Sequence, residues 1–215
     1  MMRLKEIEIS GFKSFAKKSN LSFQSRVTCI VGPNGSGKSN VVEAIRFVLG
    51  EQSMKSLRGK GGSDLIFKGS KGVPSASRAY VAISFDNKDR VFSFNNEGST
   101  IAVDFDEITI SREVFSDGAN TYKINNSEVR LKDIVELLAS VHIGSTGHHI
   151  ISQGEADRIL SSNNKDRRQI LEDALGLKIY QYRIKESERK LEKSEINIKE
   201  VGSLRRELSP HLTLL

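Results

Sequence analysis

The sequence predicts an α/β fold in three parts: a strand–loop–helix core, an antiparallel β lobe and a long helical arm. Three observations carry this expectation. The apolar run Val27 to Val31 leads into Gly32-Pro33-Asn34-Gly35-Ser36-Gly37-Lys38-Ser39-Asn40, and a helical pattern follows. Alternating apolar residues separated by turn signals occupy residues 80 to 124. From Asp166 the chain is dense in charge and carries a heptad pattern.

Residues 3 to 9 read as a half-exposed strand with Ile7 and Ile9 on one face. Gly11-Phe12-Lys13-Ser14-Phe15 turns the chain, and Leu21 and Phe23 begin a second strand. Val27 to Val31 is apolar and β-branched, the composition of a strand buried on both faces. The helix expected over Asn40 to Leu49 places Val41, Ile45 and Val48 on one face, with Gly50 to end it. Residues 51 to 78 are basic and glycine-punctuated, and read as loop. Tyr80 to Phe85, the alternating Val91 to Asn95, Ile108 to Ile110 and Thr121 to Ile124 form an expected meander, with a turn at Asp117-Gly118. Leu131 to Ala139 is a short amphipathic helix.

Leu177, Tyr180, Ile184, Ser187, Leu191, Ser194, Ile198, Val201 and Leu208 follow an a/d spacing, with Arg205 as the odd member. A surface helix is the simpler alternative. The narrow stripe, flanked by charge over about four heptads, favours a coiled-coil arm that needs a partner helix. Pro210 is expected to break or kink it. The expected division is therefore residues 1–165 as a head and 166–215 as the start of an arm, the whole being a fragment of a longer protein.

The 215 residues carry a formal net charge of +6. The sequence pI is about 9.4. A basic surplus permits a nucleic-acid partner without establishing one. The single cysteine, Cys29, excludes a disulfide framework and, read as buried, suits a reducing compartment. The N-terminus lacks a signal-peptide core, and no run approaches the ~18 apolar residues of a membrane span. A cytoplasmic location is the expectation.

Gly32-x-x-x-x-Gly37-Lys38-Ser39 satisfies the P-loop pattern. Its glycines let backbone N–H groups turn toward phosphate oxygens, and the helix N-terminus adds partial positive charge. Lys38 would reach the β- and γ-phosphates, and the Ser39 hydroxyl would ligate Mg²⁺. Ile150-Ile151-Ser152-Gln153-Gly154-Glu155 delivers a glutamine suited to a metal or a water; taken alone, a polar strand end explains it as well. Lys55 to Asp64 is a basic glycine-rich loop that could set Arg58 at a nucleotide and Lys60 at a polyanion; a solvated loop has the same composition. His148 and His149 lack a third ligand nearby and do not read as a zinc site. Asp86 is not a Mg²⁺-binding Walker B aspartate, since Ser84 interrupts its run and no glutamate follows.

Taken in order, GFKSF, GPNGSGKSN, GEQS, LRG, ISQGE and RRQILE resemble the N-terminal head of a structural maintenance of chromosomes (SMC) protein, bacterial forms above all. The resemblance covers nearly the whole chain. It implies an ABC-type P-loop ATPase head with an antiparallel β subdomain and a coiled-coil arm. It implies ATP and Mg²⁺ as cofactors, held by residues 32–40, with Gln153 as the Q-loop glutamine near the metal and the attacking water. It implies that Arg58 and Lys13 lie at the nucleotide, with Lys38, Gln153 and Arg58 serving catalysis, and that Lys60 faces DNA. Gly144 to His149 departs from the usual wording before ISQGE. The implied partners are DNA, the chain's own C-terminal head half, a second head in a homodimer and kleisin-type accessory subunits, with no membrane. The implied role is ATP-driven chromosome condensation and partitioning near the nucleoid. No Leu-Ser-Gly-Gly signature, Walker B strand or switch histidine is present, so this stretch alone is expected to be nearly inactive. The alternatives are a RecF- or RecN-like repair ATPase, an ABC transporter subunit and a non-catalytic nucleotide-binding scaffold.

Overall fold

The computed structural model describes residues 3–92, 103–141, 143, 150–151, 163, 167–168, 172 and 177–212. The chain divides into two compact units, Met1–Gly176 and Leu177–Leu215.

The first unit is built on one six-stranded antiparallel sheet in the order β2-β1-β3-β4-β5-β6. Its strands are β1 (Arg3–Ser10), β2 (Ser19–Ser22), β3 (Arg78–Asp86), β4 (Glu107–Phe115), β5 (Asn120–Ile124) and β6 (Ser127–Val129). Period-2 alternation sends one residue set of each strand inward. The register aligns Ile7, Ile83, Ile110 and Ile124 in one row across four strands, all buried. Packing such β-branched side chains side by side excludes water from the sheet's inner face. Glu6, Glu8, Tyr80 and Ser84 point the other way and line a polar groove. There burial, followed by the charge of Glu8, raises the pKa of the Tyr80 phenol.

Helix α1 (Lys38–Val48) buries Val41, Ala44, Phe47 and Val48. Phe12 from the GFKSF turn meets Phe47 with ring centroids 5.4 Å apart. The helix ends in a Schellman motif: the Gly50 amide donates to Phe47 O and the Glu51 amide to Arg46 O. That closure needs a left-handed residue, and Gly50 supplies φ +97°. Helix α2 (Leu131–Ser140) buries Ile134, Leu137 and Leu138. β6, not anticipated from the sequence, follows a tight hairpin at Asn125-Asn126, both at positive φ.

Two expectations about this unit are corrected. The run Val27–Val31 forms no strand; Val27 is 80% and Val31 88% exposed. A strand needs a neighbour's hydrogen-bonding edge, and this run pairs with none of the six strands, β1 being filled on both sides by β2 and β3. Cys29, within that run, is accordingly exposed, not buried. Residues 51–77 carry no α-helix or strand, as read, but the loop is anchored: Leu57, Leu65, Ile66 and Phe67 join the buried set around a 3-10 turn at Gly62–Leu65.

The second unit is dominated by helix α3 (Lys178–Leu212). At 1.5 Å per residue it is about 50 Å long. Tyr180, Ile184, Leu191, Ile198 and Val201 are exposed along the heptad seam. Pro210 does not break α3, which runs on to Leu212. Its missing amide costs one intrahelical hydrogen bond at that position. No helix among the described residues is long and apolar enough to cross a membrane.

Candidate nucleotide site

The site forms where three segments meet: the glycine-rich stretch opening α1, the GFKSF turn and the loop carrying Arg58. Gly35 and Gly37 both hold left-handed conformations, φ +81° and +93°. At Gly37 a Cβ would lie 2.7 Å from Ser14 Oγ, so a side chain there would displace that hydroxyl. This bend turns the chain into α1, whose first-turn amides, Lys38 and Ser39 among them, have no intrahelical acceptor. Such amides at a helix N-terminus favour an anion. The Lys38 ammonium folds over the loop, donating to Gly32 O at 2.6 Å and Pro33 O at 2.8 Å. Gly32, Pro33, Asn34, Gly35, Ser36 and Ser39 are exposed. Their chemistry fits a nucleoside triphosphate with Mg²⁺: positive φ at the glycines, a lysine on the loop and a hydroxyl at the helix start.

The GFKSF turn lies against this loop. Asn40 Nδ2 donates to Ser14 Oγ at 2.7 Å. The Lys13 ammonium donates to the Glu43 carboxylate and to Leu57 O. Arg58 Nε lies 3.2 Å from the other Glu43 oxygen. The backbone fixes this arrangement: the Lys13 amide donates to Leu65 O and the Phe67 amide to Gly11 O, each at 2.8 Å. Lys13, Arg58 and the P-loop helix are therefore neighbours, although 45 positions separate the two cations in sequence. Lys60 is exposed two residues beyond Arg58. Its amide donates to Asp64 Oδ2 at 2.9 Å. The Lys68 side chain and then the Lys60 amide hold the Asp64 carboxyl below its ordinary pKa.

Gln153 lies outside the described residues, as do His148 and His149. The segment leading to Gln153 is tied to α1 nonetheless, since Arg46 Nη2 donates to Ile150 O at 2.8 Å. Among the described residues no cluster of three or more His, Cys, Asp or Glu could hold a metal. Asp86 ends β3 paired with Arg3 and Glu107, an antiparallel setting unlike a Walker B strand.

Two supporting residues were not singled out by sequence pattern. Glu43 is buried on α1 one turn after Ser39, among apolar neighbours. Arg112 is only 2% exposed. Its Nη1 donates to Phe47 O and Glu51 O at 3.0 and 2.8 Å, and its Nε and Nη2 reach Asn120 Oδ1. It stacks 4.2 Å over the Phe47 ring. A cation at the C-terminus of α1 complements the helix dipole, while burial lowers the guanidinium pKa. The alternation of β4 pointed to it: Ile108, Ile110 and Val114 face inward, and position 112 shares their face.

The family model described as "RecF/RecN/SMC N terminal domain" matches residues 3–162. The chain belongs to this family. Within the family, members of the SMC branch are similar to it over most of its length. The chain is 42% identical over 212 residues to the chromosome partition protein Smc of Rhodopirellula baltica, covering 99% of this chain and 17% of that protein. A solved structure from work on ATP-driven dimerization and DNA-stimulated activation of SMC ATPases superposes with a TM-score of 0.70 at 38% identity, covering 79% of this chain and 98% of that one. The Smc head of Pyrococcus furiosus, with an extended coiled coil and bound to the C-terminal domain of ScpA, gives 0.73 at 36% identity over 98% of this chain and 51% of that one. The fold is thus that of the N-terminal lobe of an SMC-type ATPase head. The chain spans about a sixth of the length of the curated Smc relative.

Proposed function

We propose that this chain is the ATP-binding half of an SMC head and acts within an ATP-driven DNA-organising protein for chromosome condensation and partitioning. The observation that carries the reading is that the helix opened by Lys38 and Ser39 gathers the other two segments: its Glu43 meets Lys13 and Arg58, and its Asn40 bonds Ser14 of the GFKSF turn. In this reading residues 32–40 cradle the polyphosphate, Lys38 holds its β- and γ-oxygens, and Ser39 ligates Mg²⁺ with Gln153. Arg58 and Lys13 add positive charge at the nucleotide. Bound Mg²⁺ would supply neutralisation of phosphate charge during transfer to water. Lys38, Arg58 and Gln153 contribute positioning and electrostatics.

The site is completed from elsewhere. The exposed, β-branched run Val27–Val31 is suited to the interior of a sheet whose other strands come from a C-terminal head half. The exposed seam of α3 supports an arm that pairs with a returning helix, and the SMC reading over a RecF- or RecN-like one is supported by the similarity to Smc proteins over nearly the whole chain. The proposed partners are that head half, a second head of the same kind, a kleisin-type subunit and DNA. The proposed location is the cytoplasm, at the nucleoid. Residues 1–165 act as head and 166–215 as the base of the arm.

DNA contact is assigned to Lys60 and its basic neighbours. In the complete head, Lys60→Glu is expected to weaken DNA binding and to lower the slope of log affinity against log salt by about 1. Fluorescence anisotropy over a salt series measures both. An unchanged slope would remove Lys60 from the DNA surface.

A further inference from the structure

We infer that Glu43 is a positioning residue for the nucleotide site, a buried carboxylate that clamps Lys13 and Arg58 in the places from which they act. The inference deepens the nucleotide-binding reading and rests on it. Glu43 occupies the buried face of α1, four residues after Ser39, where a carboxylate is costly unless it is paired. Both of its oxygens face cations from different segments. One accepts from Lys13, whose ammonium also binds Leu57 O and so ties the GFKSF turn to the Arg58 loop. The other lies 3.2 Å from Arg58 Nε.

The two contacts differ in kind. Lys13 is well enclosed and hydrogen-bonded, whereas Arg58 leaves more than half of its side chain exposed. The Glu43 oxygen facing Arg58 has no aligned hydrogen-bond donor among the described residues. Lys13 is therefore the fixed half of the clamp. Arg58 is held by charge alone, with its guanidinium edge open to an anion. The backbone agrees: Lys13 and Arg58 both sit at positive φ, 48° and 49°, a conformation non-glycine residues seldom hold without surrounding restraint. Two strained cations converging on one buried carboxylate beside a P-loop is an arrangement that fixes the direction of charge.

The sign of the effect separates positioning from simple electrostatics. Glu43→Gln leaves the cluster with one more positive charge, so a purely electrostatic role predicts tighter binding of a polyphosphate. A positioning role predicts weaker binding. The test measures a fluorescent ATP analogue with Mg²⁺ on the complete head, this chain joined with its C-terminal head half. Glu43→Gln is expected to weaken binding about tenfold, as loss of a supporting partner commonly does. In a Lys13→Ala/Arg58→Ala background the same substitution is expected to change nothing further. Glu43→Asp keeps the charge but shortens the reach, and is expected to weaken binding by less while preserving the melting temperature; it serves if the glutamine variant does not fold. Lys38→Ala is the control. If Lys38→Ala abolishes binding while Glu43→Gln and Glu43→Asp bind like the unaltered head or tighter, the clamp is overturned and the nucleotide reading stands. Full additivity of Glu43→Gln in the double-alanine background also overturns it. If the unaltered head does not bind the analogue, or Lys38→Ala binds equally well, both readings fall.

Discussion

Replacing Lys38 with alanine in the complete head is expected to reduce ATP turnover at least a hundredfold, about the scale on which removal of one preorganised charge-stabilising donor acts. The side chain already bridges Gly32 O and Pro33 O at the mouth of the loop. Exchanging two carbonyl partners for phosphate oxygens requires no rearrangement of α1. The substitution deletes an amine from the open side of the loop, so the fold should survive it; the variant is expected to melt within a few degrees of the unaltered head. Phosphate release and a melting curve on one preparation check the two statements together. A large drop in melting temperature would assign the lysine to structure instead.

Arg112 is where the largest loss of stability is expected. Arg112→Met would leave Phe47 O and Glu51 O without their buried donor, and the more exposed Asn120 Oδ1 without the guanidinium, and about 3 kcal/mol is the expected cost. Methionine replaces much of the apolar volume over Phe47, which isolates the lost donors from a simple cavity. Arg112→Lys keeps a charge but cannot serve these acceptors with a planar fork, and should lie between the two. Urea unfolding measures the difference as a shift in midpoint at constant slope. A shift below about 1 kcal/mol for the methionine variant would mean that these carbonyls find other donors.

Arg112 also shows where sequence pattern stops being informative. Period-2 alternation made β1, β3 and β5 legible, because Ile7, Ile9, Val81, Ile83 and Ile124 announce their own faces. The same rule places position 112 inside the sheet, but a charged residue there reads as surface until its three acceptors are seen. Glu43 is hidden for a similar reason. Helical spacing puts Val41, Ile45 and Val48 together and says nothing of the acid between them; its partners lie 30 positions upstream and 15 downstream in sequence. The P-loop was legible because its chemistry is local: glycine conformations, a lysine and a helix start within nine residues.

The run Val27–Val31 fails in the opposite direction. Its composition is that of a buried strand, but burial depends on neighbours that a local pattern cannot provide, and β1 has no edge to offer it. The heptad of α3 poses the same question one level up. Its helix forms over 35 residues while the seam stays exposed. In both, local pattern specifies the kind of surface and is silent about what covers it.

If the nucleotide site is one half of a composite site, ATP turnover must depend on the missing half. The direct measurement compares this chain alone, its C-terminal head half alone, and the two mixed, with and without DNA. Turnover is expected only in the mixture, and is expected to be lost again when Lys38 is replaced by alanine. Substantial turnover by the 215-residue chain on its own would contradict a composite site.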